Sequence, residues 1–481
     1  MTATPRQLKL LEDAQETNES AADLAITADN IAYFGEPVYE YEMAQGIKDG
    51  YLAAGEIIRG RVNLDDTGIT RAEIMKLGPR DPIIGRPLTK EQVDELYQHT
   101  SYEGRILLPD RKLAMAQDLF DYLAGGGNPE QKTIIFCVND RHADEIAILL
   151  NNFYVKWCKQ RNRKACTHYA FKCTNASSGN DMLPDFRSSS TDWFVATTVD
   201  LLTTGVDVPR VRNIVFFRYM KSPIAFYQMV GRGTRLFLEE NKLNFRVYDY
   251  TDATSLLGEE FITVPPKTPA DDDESDSQPP TVGESGDVYV TSAAIEVVGF
   301  DVVVTPFGRY IVSQVDGRDR LVSVEEYEQQ VAEKLLHAAP DLPSFRNQWI
   351  ERDARQALLR QLPAEGQSAL LLRSLKEMVD YDLYDVLVEV GYGLAPRTLT
   401  ERAEAFAYKQ STWLNTMPPD AAATIAAIVA QFERGGTEEL ENRLIWRVPE
   451  VSLSGGMKAL AALGAKPADI LHDTKARVFA A

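Results

Sequence analysis

Gln228-Met229-Val230-Gly231-Arg232-Gly233-Thr234-Arg235 decides how this chain is read. It is taken together with Val195-Ala196-Thr197-Thr198 and Thr203-Thr204-Gly205-Val206-Asp207-Val208-Pro209 just upstream. Two arginines three apart at a helix start project from one face. Arginine is always charged and forked, so it suits a terminal phosphate better than lysine does. The glycines let backbone come close to a ligand. Thr204-Gly205-Val206-Asp207 reads as a loop after a buried strand. Its carboxylate is placed for a ribose hydroxyl or for a neighbouring arginine.

Working outward, Thr133-Ile134-Ile135-Phe136-Cys137-Val138 is a short apolar run, and Tyr169–Cys173, Trp193–Thr197 and Asn213–Arg218 repeat the pattern. Unbroken β-branched and aromatic runs of this kind mark strands buried on both faces of a parallel sheet. Arg246–Tyr250 is a further strand, and Asp140–Asn152 is a helix with Asp140 as its cap. Strands alternating with helices predict a parallel α/β domain. In their order and content these blocks resemble the second RecA-like domain of superfamily 2 helicases, with its Gln-x-x-Gly-Arg-x-x-Arg arginine-finger motif.

The flanks carry a narrower resemblance. Thr2-Ala3-Thr4-Pro5 is followed by Ile31-Ala32-Tyr33-Phe34-Gly35-Glu36-Pro37-Val38-Tyr39-Glu40-Tyr41 and Gln45–Ala53. Near the other end stand Tyr381–Leu387, Arg397–Arg402 and Ala459–Leu471. These segments resemble the restriction (R) subunits of type I restriction-modification enzymes, and the resemblance covers essentially the whole chain. It implies ATP and Mg²⁺ as cofactors, shared with a first RecA-like domain, and no metal bound by this chain itself. Arg232 and Arg235 would contact the γ-phosphate. Gln228, Gly231, Gly205 and Asp207 would line the ATP site. Thr197, Thr198 and Thr174 would meet DNA phosphates, reading backbone and not sequence. Thr2 and Thr4 would be a remnant of the element that couples nucleotide to DNA. The implied partners are double-stranded DNA, the methyltransferase (M) and specificity (S) subunits, and the N-terminal half of the R subunit.

The expected organisation has five parts. Residues 1–124 are a remnant of the first RecA-like domain and a polar connector, with a strand at Glu56–Val62 and a helix around Thr89–Gln98. Residues 125–260 are the second RecA-like domain. Residues 261–286 form an acidic linker that cannot bury a core. Residues 287–323 are β-hairpins, and 324–481 form a helical domain that would dock on the methyltransferase–specificity core.

Composition sets bounds. The net charge of −20 is the wrong sign for a general nucleic-acid binder. The charge is uneven, however. Residues 208–246 carry eight Lys/Arg against two Glu, and 132–164 carry seven against three acids. A basic face on an acidic body is compatible with DNA tracking. No run approaches the ~18–20 apolar residues that span a bilayer. Four cysteines predict a reduced, cytoplasmic setting. Cys158, Cys166, His168 and Cys173 cluster without Cys-x-x-Cys spacing, which favours plain thiols over a zinc site.

No Gly-x-x-x-x-Gly-Lys-Ser/Thr occurs, so the phosphate cradle and its Mg²⁺-holding hydroxyl are expected from another polypeptide. On this reading the chain is the C-terminal half of a restriction subunit and is inactive alone. Two alternatives are a stand-alone superfamily 2 helicase fragment with a motor half in trans, and a non-enzymatic methyltransferase-docking protein.

Overall fold

Four-residue apolar runs make the centre of the main sheet. In the computed structural model, β2 (Thr133–Phe136), β4 (Val195–Thr198) and β5 (Asn213–Phe216) are buried at every position. They pair in parallel, with Ile135 opposite both Thr197 and Val215. Side chains alternate between the two faces of a strand. Ile135, Val195 and Val215 point to one side, against Leu119 and Phe120 of α1 (Pro109–Gly125) and Ile146, Leu150 and Tyr154 of α2 (Asp140–Gln160). Phe136 and Phe216 stack on the other side, and Phe226 of α4 (Pro223–Val230) stacks on Phe216. Between α2 and α4 lies α3 (Gly179–Ser188), where Phe186 meets Phe171 edge-on.

The structure describes residues 7–8, 43–49, 51–125, 128–174, 179–199, 207–220, 222–240, 242, 244–258, 262–263, 294–315, 318–363 and 368–480. Thr2, Thr4, Gly205 and the acidic linker at 261–286 lie essentially outside these residues. Two compact units divide the chain, residues 1–46 with 51–322 and residues 47–50 with 323–481.

The sheet has eight strands in the order β8-β7-β1-β6-β5-β2-β4-β3. The remaining strands are β1 (Ala54–Val62), β3 (Ala170–Lys172), β6 (Asn244–Asp249), β7 (Val304–Val315) and β8 (Arg318–Ser323). It therefore crosses the boundaries expected at 124 and 287. The strand read in the connector joins β6 in parallel, and the expected hairpin region adds β7 antiparallel to β1. Glu56, fully buried, fastens the three together. Arg246 Nε on β6 lies 2.9 Å from one carboxylate oxygen, and Arg309 Nε on β7 lies 2.8 Å from the other.

The connector is not simply polar. Ile69, Ile74, Tyr97, Tyr102, Ile106 and Val297 share a small separate core. A capping box at Thr70 and Glu73 starts a helix at Arg71–Leu77. The helix expected around Thr89–Gln98 is reduced to a 3₁₀ turn at Lys90–Gln92. The N-cap of α2 is Asn139, whose side chain accepts from His142 N at 2.9 Å. Asp140 instead pairs with Lys172 and Thr174.

His142 sits under this end of the sheet, fully buried, with its Nδ1 accepting from Val138 N at 3.3 Å. Burial holds the ring well below its ordinary value, helped by Lys112, Arg111 and Arg141. A base whose folded value is depressed stays neutral in the fold while the unfolded chain protonates below about 6.5. Stability is then lost as pH falls below about 6.5, by up to about 1.4 kcal/mol per pH unit. H142Q should show a shallower fall than the parent over this range in chemical denaturation. Parallel slopes would exclude His142 as the source.

The second unit is helical. It contains α5 (Val324–Ala338), α6 (Leu342–Ile350), α7 (Leu383–Tyr392), α8 (Leu399–Lys409), α9 (Pro419–Gly435) and α10 (Pro467–Ala480), with further helices between them. Trp349, Tyr384, Phe432 and Phe479 meet in its core. Asp385 and Arg402 are buried beside them as a bidentate pair at 2.5 and 2.7 Å. Asp385 also accepts from Arg397 N at 3.0 Å, and the guanidinium lies 4.8 Å from the Tyr384 ring.

Candidate functional site

Ser222 caps α4 by accepting from Ala225 N, and Pro223 occupies the first turn, where its missing N–H costs nothing. The helix ends at Val230. Gly231 N, Arg232 N and Gly233 N then bond back to Tyr227, Met229 and Val230 carbonyls at 2.9, 3.1 and 2.9 Å. The arginine pair thus lies on turns beyond a helix C-terminus, not at a helix start as its spacing suggested. Gly233 is required there by packing, because a Cβ would run into the Phe245 ring. The turn is pinned by Thr234, which accepts from Ala53 N through its carbonyl at 2.6 Å.

The carboxylate expected to meet a ribose or an arginine meets an arginine. Arg235 Nε lies 2.9 Å from Asp207 Oδ1. Arg232 is half-buried, and burial pulls its guanidinium below its ordinary value. The like charge of Arg235 adds to this and Asp207 opposes it. A second cation beside the Arg235–Asp207 pair favours an anion. Tyr51, Pro209, Gly231, Thr234 and Arg235 line a cleft of about 490 Å³ here. Gln228 stands half-buried on the last turn of α4.

Sequence order places the threonines at the opposite end of the parallel strands. Asp207 leads into the start of β5 and Arg235 toward the start of β6, whereas Thr197 and Thr198 end β4 and Thr174 follows β3. All three threonines are buried. Thr197 Oγ1 donates to Ala143 O at 2.8 Å, tying β4 to α2, and Thr174 Oγ1 donates to Asp140. The hydroxyls of Thr197 and Thr174 thus tie elements of the fold together. Thr198 Oγ1 is buried with no hydrogen-bond partner.

Some of the basic charge is engaged internally, although six of the seven cations of 132–164 are exposed. Lys132 donates to the Asp192 and Trp193 carbonyls at 3.0 and 2.8 Å, and Arg246 belongs to Glu56. Arg161, Arg163 and Lys164 remain exposed. Cys158 and Cys173 are buried and Cys166 partly so, all three as free thiols. Burial pushes Cys173 up to about 12 and Cys166 up to about 11. Among the described residues no group of His, Cys, Asp and Glu is placed to hold a metal ion.

Sequence reasoning missed Lys242. Its amine donates to Pro209 O, Gly233 O and Arg235 O at 2.8, 2.9 and 2.6 Å. A lone lysine between motifs carries no pattern that would have marked it.

Comparison with known proteins divides the chain the same way. Residues 112–236 match the helicase conserved C-terminal domain, and 325–476 match the EcoEI R protein C-terminal family. The chain is 26% identical to the type I restriction enzyme EcoAI endonuclease subunit of Escherichia coli, over 95% of this chain and 58% of that protein. It is 32% identical to the EcoKI endonuclease subunit of Escherichia coli (strain K12), over 49% of this chain and 20% of that one. The chain thus spans little more than half of the first relative. A solved fragment described as an HsdR subunit of a type I restriction enzyme from Vibrio vulnificus YJ016 is 29% identical. It covers 49% of this chain and 38% of its own, with a TM-score of 0.34.

Proposed function

We propose that this chain, which resembles the C-terminal part of a type I restriction endonuclease subunit, supplies the arginine half of an ATP site that drives DNA translocation. The observation that carries this reading is the Arg235–Asp207 pair with Arg232 beside it, Arg235 also lining the cleft. Two forked cations suit a polyphosphate, and the backbone of Gly231 lets it approach. Asp207 holds Arg235 in place, Arg232 and Arg235 meet the terminal phosphate, and Gln228 contacts the nucleotide or the opposite domain.

The other half of the site, with the loop that cradles phosphate and the carboxylate that holds Mg²⁺, comes from a first RecA-like domain. Double-stranded DNA is the track. Thr198 is our remaining candidate among the threonines for a backbone phosphate contact, reached by opening of the strand end. The helical unit docks on methyltransferase and specificity subunits, and the cytoplasm is the setting. No helix among the described residues is long and apolar enough to cross a membrane.

The test is complementation. The purified chain with DNA should hydrolyse ATP at no more than background. Adding a polypeptide that carries a Walker-type first RecA-like domain should bring DNA-stimulated turnover to the ordinary 1–100 s⁻¹ range, to an order of magnitude. Robust hydrolysis by the chain alone, or none by the pair, would overturn the proposal.

A further inference from the structure

We infer that Lys242 is the positioning residue of this site, a clamp that sets the separation between the Asp207 loop and the arginine turns. The inference rests on the reading of Arg232 and Arg235 as phosphate ligands, and it names what holds them. Lys242 is fully buried. An ammonium has three donors, and all three are taken by carbonyls, of Pro209 at 2.8 Å, Gly233 at 2.9 Å and Arg235 at 2.6 Å. Pro209 lies two residues after Asp207. Gly233 separates Arg232 from Thr234, and Arg235 is itself the partner of Asp207. One amine therefore joins the backbone of both segments that carry the candidate ligands.

Burying a charge costs several kcal/mol unless it is well bonded. Burial, with Arg212 and Arg235 nearby, pulls this amine down to about 7, while three carbonyl acceptors favour its charged form. Loops that must meet a ligand are drawn from the least stable parts of a fold. Arg232 and Arg235 repel one another, so their turn needs an internal tether.

The experiment compares the full chain with K242M and R235A and the double variant. Amide hydrogen exchange across residues 207–212 and 231–236 should rise at least tenfold in K242M, with the far-UV spectrum unchanged. If K242M does not fold, K242R, which keeps a donating cation, carries the same comparison against the parent. In the complemented ATPase, K242M should lower kcat at least tenfold with KM for ATP within about twofold. The double variant should be no slower than R235A alone, since a clamp acting only through the arginines has nothing left to position.

Unchanged exchange in both segments would overturn the clamp. Additive losses would overturn it too, as would a loss confined to KM. If R232A and R235A leave ATPase intact, the phosphate reading falls, and hydrogen exchange still decides whether Lys242 joins the two segments.

Discussion

Arg232→Ala or Arg235→Ala should abolish ATP hydrolysis when the chain is paired with a first RecA-like domain. Arginines that neutralise transferring phosphate contribute roughly 10³–10⁵ in rate, because fixed charge in a water-poor site acts most strongly where charge develops. The geometry supports a loss at this scale for both residues. Arg235 is held by Asp207 at 2.9 Å, so its fork is already ordered. Arg232 is half-buried beside it, and burial with repulsion by Arg235 disfavours its charge until an anion arrives. Assembly with the other half and the melting curve should be unchanged, since neither side chain belongs to a core. Steady-state ATPase with saturating DNA is the measurement. A loss below about tenfold in both variants would return these arginines to ordinary surface residues.

The largest stability effect lies in the helical unit. Arg402→Met leaves the Asp385 carboxylate buried and short of its partner. Breaking a buried ion pair from one side costs about 3–5 kcal/mol. For a unit of this size that lowers Tm by roughly 6–20 °C. Asp385 keeps a further donor in Arg397 N, so the loss should fall toward the lower end. Arg402 also packs on Tyr384 and Phe479, and methionine replaces part of that contact. Pairing Arg402→Met with Asp385→Leu should recover at least half of the loss, because an apolar pair of similar volume removes the stranded charge. Calorimetry of both variants checks this. A single variant as stable as its parent would show that the pair contributes no net stability.

The reading of fold and site from residues alone succeeded where a physical pattern was local. Thr133–Phe136 and Asn213–Phe216 announce buried parallel strands because short β-branched and aromatic runs fit a sheet covered on both faces. The link between Asp207 and an arginine was legible from charge and loop chemistry. The position of the arginines was not. Their spacing fits a helix face, yet the helix ends at Val230, before either is reached.

Thr197 shows a different limit. Its hydroxyl looks free in sequence, but the carbonyl that captures it belongs to Ala143, 54 residues away. The small core under Ile69 and Ile106 escaped notice because its strands are two residues long and carry no period. Lys242 and His142 owe their character first to burial, which no neighbour in sequence reveals.

Glu56 imposes an order on biosynthesis. Its carboxylate is shared with Arg309, 253 residues later in the chain. At about 5–20 residues per second, roughly 10–50 s pass between translation of the two. Throughout that interval β1 has one finished neighbour at most, and a bare hydrogen-bonding rim is an invitation to foreign strands. A nascent chain halted before Arg309 would carry the whole arginine motif and still lack the last partner of its central carboxylate. Chaperone demand for this protein should therefore peak late in synthesis, after the catalytic-looking sequence has already left the ribosome.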